Sequence, residues 1–247
     1  MTLRGFCPAC GRVSSMTNQP ISPIESAFLE VRSSDLSLRD RLRVVADAAR
    51  THKPWYADAI DEFASRLKHV QAGADTPKIG DKMPEFVLPD HEGRLVALDA
   101  ILERGPAVIA FHRGHWCPFC RLSMIGLAEI EEQLRPAQIV AISTETQRYT
   151  RMLRDQTGAR FPVLTDMDAA YTMSLGLAVW VDTKLAGMIS EAGWDIPVYQ
   201  GGTDWVLPIP SVFVVRQDGT IAGRHIDPDY RQRMDIDELL RCVRGIA

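Results

Sequence analysis

The stretch Pro106-Ala107-Val108-Ile109-Ala110-Phe111, followed closely by Trp116-Cys117-Pro118-Phe119-Cys120, constrains this chain more than any other. An unbroken apolar run leaves no polar face, so it suits a strand covered on both sides rather than a surface hairpin. Downstream, Phe119, Leu122, Ile125, Ile130 and Leu134 recur at roughly helical intervals. Arg121, Glu129, Glu131 and Glu132 fall mostly on the other side, which predicts an amphipathic helix over 118–134. The junction between buried strand and helix carries two cysteines.

Pro118 suits the first helical position, where its fixed φ helps and its missing N–H costs nothing. Cys117 is then the N-cap. There its sulfur can accept hydrogen bonds from free backbone N–H groups, and the positive end of the helix dipole favours the anion. Both effects lower a thiol pKa. Cys120, one turn on, is close enough to close a disulfide. Cys117 is therefore expected to attack and Cys120 to resolve, although two structural thiols or half of a zinc site would show the same spacing.

The chain has 247 residues, a 46% hydrophobic fraction and a formal net charge of −4, enough to bury a sizeable core. The negative balance, with no long basic run, argues against nucleic acid as a partner. The N-terminus lacks the apolar stretch of a secretory signal and no run approaches a membrane span, so a cytoplasmic location with no membrane association is expected. In that compartment the five cysteines, Cys7, Cys10, Cys117, Cys120 and Cys242, do not suggest a static disulfide framework.

Three zones are expected. Residues 1–19 read as a flexible segment bearing a Cys7-Pro8-Ala9-Cys10-Gly11 knuckle. Residues 20–75 read as a helical extension, with stripes Leu38, Leu42, Val45, Ala49 and Tyr56, Ile60, Phe63, Leu67, Val70 joined through Thr51-His52-Lys53-Pro54. Such stripes need a partner surface, either the main domain or a second copy in a homodimer. Residues 76–247 alternate strands and helices. A hairpin turns at Asp90-His91-Glu92-Gly93, strands are expected at 106–112, 138–142 and 161–164 with helices at 146–157 and 167–175, and 176–207 reads as an irregular insertion. A second hairpin over 211–223 and a helix striped by Ile236, Leu239, Leu240 and Val243 close the chain.

Around the cysteines, Trp116 is expected to shield Cys117. Arg113 is the first choice among Arg113, His112 and His115 for stabilising a thiolate, because its guanidinium stays charged. Glu145 follows a central strand, where a capping role for Thr144 or Thr146 explains the cluster better than chemistry. Residues 201–207 could wall the pocket. Cys7 and Cys10 supply only half of a zinc site, with no second pair at normal spacing, and Cys242 reads as structural.

With these residues assembled, the chain resembles the peroxiredoxin-like proteins of the alkyl hydroperoxide reductase/thiol-specific antioxidant superfamily. The likeness rests on the motif Phe111 to Cys120, on Lys82-Met83-Pro84-Glu85-Phe86-Val87-Leu88, on Val140 to Ser143, on Phe161 to Asp166, on Leu207 to Val214 and on Asp227-Pro228-Asp229-Tyr230. It implies a thioredoxin-like α/β fold, a central mixed sheet flanked by helices, with the helical extension in front. It also implies a cis-proline at Pro210 facing the cysteine pair. The activity implied is thiol-dependent reduction of hydroperoxides, with Cys117 oxidised to a sulfenic acid and Cys120 condensing with it. A thioredoxin- or glutaredoxin-type thiol would regenerate the enzyme, without metal or bound organic cofactor. The family's usual Pro-x-x-x-Thr/Ser-x-x-Cys loop is altered here: Ala110 stands at the proline and Gly114 at the Thr/Ser. A thiol-disulfide oxidoreductase acting on protein or small-molecule disulfides is the alternative, and a non-catalytic zinc-binding interaction protein is a third reading.

Overall fold

A computed structural model describes residues 21–246; the Cys7-Cys10 knuckle and its zinc reading lie outside them. Three helices lead: α1 (Pro23–Val31), α2 (Leu38–His52) and α3 (Pro54–His69). Ser22 and Ser37 cap the first two through their hydroxyls. A short antiparallel hairpin follows, β1 (Val87–Pro89) and β2 (Leu95–Ala97), turned by Asp90, whose carboxylate accepts the Glu92 and Arg94 amides. After α4 (Leu98–Leu102) come β3 (Ala107–His112), α5 (Pro118–Ile130), β4 (Gln138–Ser143), α6 (Gln147–Thr157), β5 (Val163–Thr165) and α7 (Ala170–Ser174).

Residues 176–207, expected to be irregular, are ordered into β6 (Ala178–Trp180), α8 (Thr183–Glu191), α9 (Ile196–Gln200) and β7 (Val206–Pro208), with β6 and β7 paired antiparallel. β6 and β7 are held by pairing with each other across the insertion, and no local alternation or tight turn announces that pairing. The chain ends with β8 (Ser211–Val215), β9 (Ile221–Ile226) and α10 (Ile236–Arg244).

The central sheet has the order β5-β4-β3-β8-β9, with β3, β4 and β5 parallel and β8 and β9 antiparallel. This is the mixed sheet of a thioredoxin-like fold. Side chains alternate between its two faces, as a period of two requires. Ile109 and Phe111 of β3, Val140 and Ile142 of β4, and Phe213 of β8 enter one core. Val108, Ala110, Ile139, Ala141 and Val214 enter the other, with Leu239, Leu240 and Val243 of α10.

Helix α5 differs from its expected amphipathic form: it is buried on nearly every side. Phe28, Val31, Leu42, Val45, Ile60 and Phe63 of the leading helices join Phe119 and Leu122 in one cluster, so most of the two stripes packs on the main domain, while Val70 is exposed. The charges of α5 serve the same packing. Arg121 makes a bidentate pair with Glu25 of α1 at 2.8 and 2.9 Å and lies over the Phe28 ring, while Glu129 binds Arg41 of α2 at 2.8 Å. Planar guanidinium forks suit such half-buried seams.

Candidate active site

The end of β3 reaches Cys117 through a tight turn in which the Gly114 carbonyl accepts the Cys117 amide. Cys117 is the N-cap of α5, with φ −88 and ψ 114, and Pro118 takes the first helical position, as the sequence implies. Both thiols are free and buried, with Cys117 1% exposed.

The electrostatics of the pair are asymmetric. Burial pushes the Cys117 thiol up, but a hydrogen bond with the Cys120 thiol, then the charges of Arg113 and Arg233, bring it from an ordinary 9.0 down to about 6. Cys120 moves the other way, raised by burial and by its place beside the Cys117 anion. The amide of Cys120 adds the smallest share to Cys117, and no full side-chain cap bond forms. The helix terminus thus gives way to two guanidiniums and a neighbouring thiol as the main cause.

Because the folded pKa is depressed, the thiolate contributes stability that is complete above 9.0 and lost as pH falls through about 6. In peptide-resolved mass spectrometry, alkylation of Cys117 by iodoacetamide is expected to rise through a midpoint near 6. It should be flat above about pH 8; a midpoint at the free-thiol value would contradict this arrangement.

Arg113, the favoured cation, is buried. Its guanidinium lies between the Trp116 and Tyr230 rings, 4.8 and 3.9 Å from their centroids. Its backbone N–H donates to Cys120 Sγ at 3.3 Å, and its carbonyl accepts the Trp116 indole N–H at 3.2 Å. Burial works against the cation, yet Cys117, Tyr230 and Tyr56 hold it on, so its pKa is raised. Trp116 lines the same pocket as Cys117 and packs against Trp194 of the insertion.

Together these groups line a narrow pocket in which about 50 Å³ is open to the centre of a water-sized sphere. Its far wall comes from the leading helices, through Ile24, Ala46, Tyr56 and Ile60. At the rim Arg231 binds Asp61 of α3 at 2.7 Å and Asp229 at 2.8 Å, and Arg50 pairs with Asp58 and Asp61. Residues 201–207 take no part in this lining; Trp194 does.

Pro210 does not meet its expectation. Among the described residues only Arg135–Pro136 is cis, so the Ile209–Pro210 bond is trans. The trans form is the default by about 0.5–1 kcal/mol, and the flanking ladders hold the chain without the other isomer. The Ile209 amide donates to Leu177 at 2.7 Å, and Ser211 already pairs with Phe111. The proline ring lines a second cavity together with His112 rather than the pocket of Cys117.

Glu145 also departs from the capping explanation. Thr146 is the N-cap of α6 without a side-chain bond, and Glu145, 1% exposed, holds the active-site turn instead. It accepts the His115 amide at 2.8 Å and lies 2.7 Å from His115 Nδ1. Burial raises its pKa and the His115 hydrogen bonds oppose that. Tyr149 and Tyr199 pack on the His115 ring, each 4.8 Å away. Gly114 has φ +138, and a Cβ there would sit 2.4 Å from Glu145 Oε1 and 2.8 Å from Trp116 Nε1. The space that a Thr/Ser side chain would take is thus filled by a buried carboxylate and an indole.

Arg233, Tyr230 and Tyr56 escaped the sequence reading. Arg233 Nη2 lies 3.5 Å from Cys120 Sγ, but its position, more than a hundred residues along the chain, carries no local signal. The Asp-Pro-Asp-Tyr segment was the only pointer toward Tyr230.

A cysteine pair with one thiol depressed and the other raised, at the head of a helix on a thioredoxin-like sheet, defines an oxidoreductase. The chain belongs to the AhpC/TSA family, whose model matches residues 79–224. It is 23% identical over 167 residues to the thiol-disulfide oxidoreductase ResA of Bacillus cereus, covering 66% of this chain and 79% of that protein. In structure it resembles peroxidoxin BcpB from Mycobacterium tuberculosis, with TM-score 0.54 at 20% identity over 69% of this chain and 98% of that one. It also resembles a peroxiredoxin-like protein from Aquifex aeolicus, with TM-score 0.56 at 15% identity over 70% and 89%. The leading helices, Tyr230 and Arg233 fall outside the matched residues. Among the described residues no helix is long and apolar enough to cross a membrane.

Proposed function

We propose that the protein is a thiol peroxidase that reduces small apolar hydroperoxides. The observation that carries this is the seating of a buried, acid-shifted Cys117 at the base of a narrow, largely apolar pocket roofed by α1 to α3. A hydroperoxide fits such a space, whereas a disulfide on a folded protein would require the roof to lift.

The Cys117 thiolate attacks the terminal oxygen of the hydroperoxide. The S–O bond forms as the O–O bond breaks, and the leaving alkoxide takes up a proton to give the alcohol. Arg113 and Arg233 keep the attacking sulfur anionic, and Arg113, on the pocket wall, stabilises charge developing on oxygen. Cys120 then attacks the Cys117 sulfenic acid, forming the S–S bond and releasing water with the Cys120 proton. Two electrons from a thioredoxin- or glutaredoxin-type dithiol restore both thiols, with no metal or organic cofactor in the cycle. The raised pKa of Cys120 keeps it protonated until the sulfenic acid forms, which orders the two steps. On this reading the chain works in the cytoplasm, and a homodimer is not required for the site.

Disulfide exchange is the second reading, favoured by the cysteine pair itself and by the likeness to ResA. Stopped-flow tryptophan fluorescence separates the two, since Trp116 and Trp194 border Cys117. Oxidation of the reduced protein by cumene hydroperoxide or hydrogen peroxide should outrun that of free cysteine by at least about 10²-fold. Reduction of insulin disulfides should stay slow. Peroxide rates equal to free cysteine, with fast insulin reduction, would replace this reading with the second.

A further inference from the structure

A second cavity lies behind the cysteine pair, against the end of β3 and the start of β8. It is open to the centre of a water-sized sphere over about 30 Å³. Its walls include His112, Ser211, His225 and Arg233. These residues leave polar atoms unpartnered: both ring nitrogens of His112, Ser211 Oγ, His225 Nε2, and Arg233 Nε and Nη1. His112 and Ser211 are each only 3% exposed. Buried polar atoms are ordinarily paired, so this many orphans on one small cavity mark a site built for something.

The chemistry of the orphans selects the occupant. Arg233 is a donor only, and no carboxylate of the described residues lies within ion-pair distance of it. Among the described residues, none that is acidic lines the chamber. Asp227 and Glu238 act on His225 from an outer groove, where Asp229 and Asp235 also lie, and Lys68, Arg231 and Arg39 pair with Asp227, Asp229 and Asp235. That groove shares Leu38, His225, Arg233 and Met234 with the chamber and supplies a way in from solvent. Arg233 is half-buried and one edge of it faces the cysteine pair, but its Nε and Nη1 are buried without an acceptor, and an anion on the chamber side offsets that cost. The chamber is smaller than the Cys117 pocket, about 30 against 50 Å³ on the same measure, which favours a compact anion.

We infer that the chamber is a binding site for one small monovalent anion of the halide or formate class, seated on Arg233, His225, Ser211 and His112 behind the cysteine pair. The other edge of the same guanidinium touches Cys120 and helps to hold Cys117 anionic. An anion in the chamber takes up part of that charge. Occupancy therefore raises the Cys117 pKa and slows its reaction in mildly acidic solution. This consequence rests on the thiolate chemistry proposed above; the binding itself does not.

Two measurements on the reduced full-length protein test it. Crystals soaked in low-millimolar bromide should show an anomalous peak beside Arg233 Nε and Nη1. Thiolate absorbance at 240 nm should report a saturable rise of the Cys117 pKa with chloride at constant ionic strength, with gluconate, too large for the chamber, leaving it unmoved. Ser211→Ala and the double variant with His225→Leu should weaken chloride binding, the double by about tenfold or more. Water without bromide at the site, a bromide peak only at molar concentration, or equal shifts with gluconate would overturn the site. If the peak stands but peroxide fails to oxidise Cys117 rapidly, the peroxidase reading falls and the anion site survives.

Discussion

Cys117→Ser is expected to reduce hydroperoxide turnover by at least about 10³-fold, because a neutral hydroxyl is a far poorer nucleophile than a thiolate. The change is nearly isosteric in a site where Cys120 still supplies a hydrogen bond, so thermal stability should fall only by the thiolate's own share, which is largest at alkaline pH and gone below about 6. Cys120→Ser gives the complementary result. One equivalent of peroxide should still be consumed, and the sulfenic acid on Cys117 should persist long enough to be trapped by dimedone and seen by mass. Cys120→Ala adds a sharper discrimination, since the Cys120 hydrogen bond is the largest influence lowering the Cys117 pKa. Serine retains a donor there and alanine does not, so the alkylation midpoint should rise more in the alanine variant. Equal midpoints in the two variants would show that the guanidiniums alone set the thiol. Turnover surviving in Cys117→Ser would move the peroxidatic role to another cysteine.

Gly114→Thr, which would place a threonine where typical members of the family carry Thr/Ser, is expected to damage this protein. The new Cβ would approach Glu145 Oε1 at 2.4 Å and Glu145 Cδ at 2.5 Å, and the residue would have to hold φ +138. Backbone strain and overpacking each cost about 1–3 kcal/mol, so a loss of about 3 to 5 kcal/mol is anticipated. In a chain of this size that lowers the melting temperature by about 10 °C. Peroxidase activity should fall with it, because the turn that carries Arg113 and Cys117 is the part displaced. Adding Glu145→Ala should recover some of the stability by opening space, while the strain at φ +138 remains. A Gly114→Thr protein as stable and active as the parent would mean that the turn tolerates the family's usual side chain.

These two expectations divide along the line between local and distant information. Six apolar residues followed by Cys-Pro-x-Cys and a helical stripe made β3, α5 and the N-cap position of Cys117 legible, since each depends on neighbours within about one turn or one strand. The leading helices were legible for the same reason, as were both hairpins. The order inside 176–207 was not, because its short strands are held by pairing across the insertion, β6 on β7. Pro210 shows the hazard of carrying a family feature to one position: the motif was present and the isomer was not.

The site itself divides in the same way. Sequence alone determined which thiol heads the helix, which stands one turn behind it, and that Arg113 is near both, because those relations are fixed by helix geometry and chain connectivity. Tertiary structure decided why Cys117 is acidic, what roofs it and what fills the space at Gly114. Cys120 and Arg113, near in sequence, lower the Cys117 pKa most, but the rest comes from Arg233, the roof from Ile24, Tyr56 and Ile60, and the filling at Gly114 from Glu145, residues brought in from distant parts of the chain. Charge and burial act through space at a few ångströms, and no spacing in the sequence records which distant residues will fold to within that range.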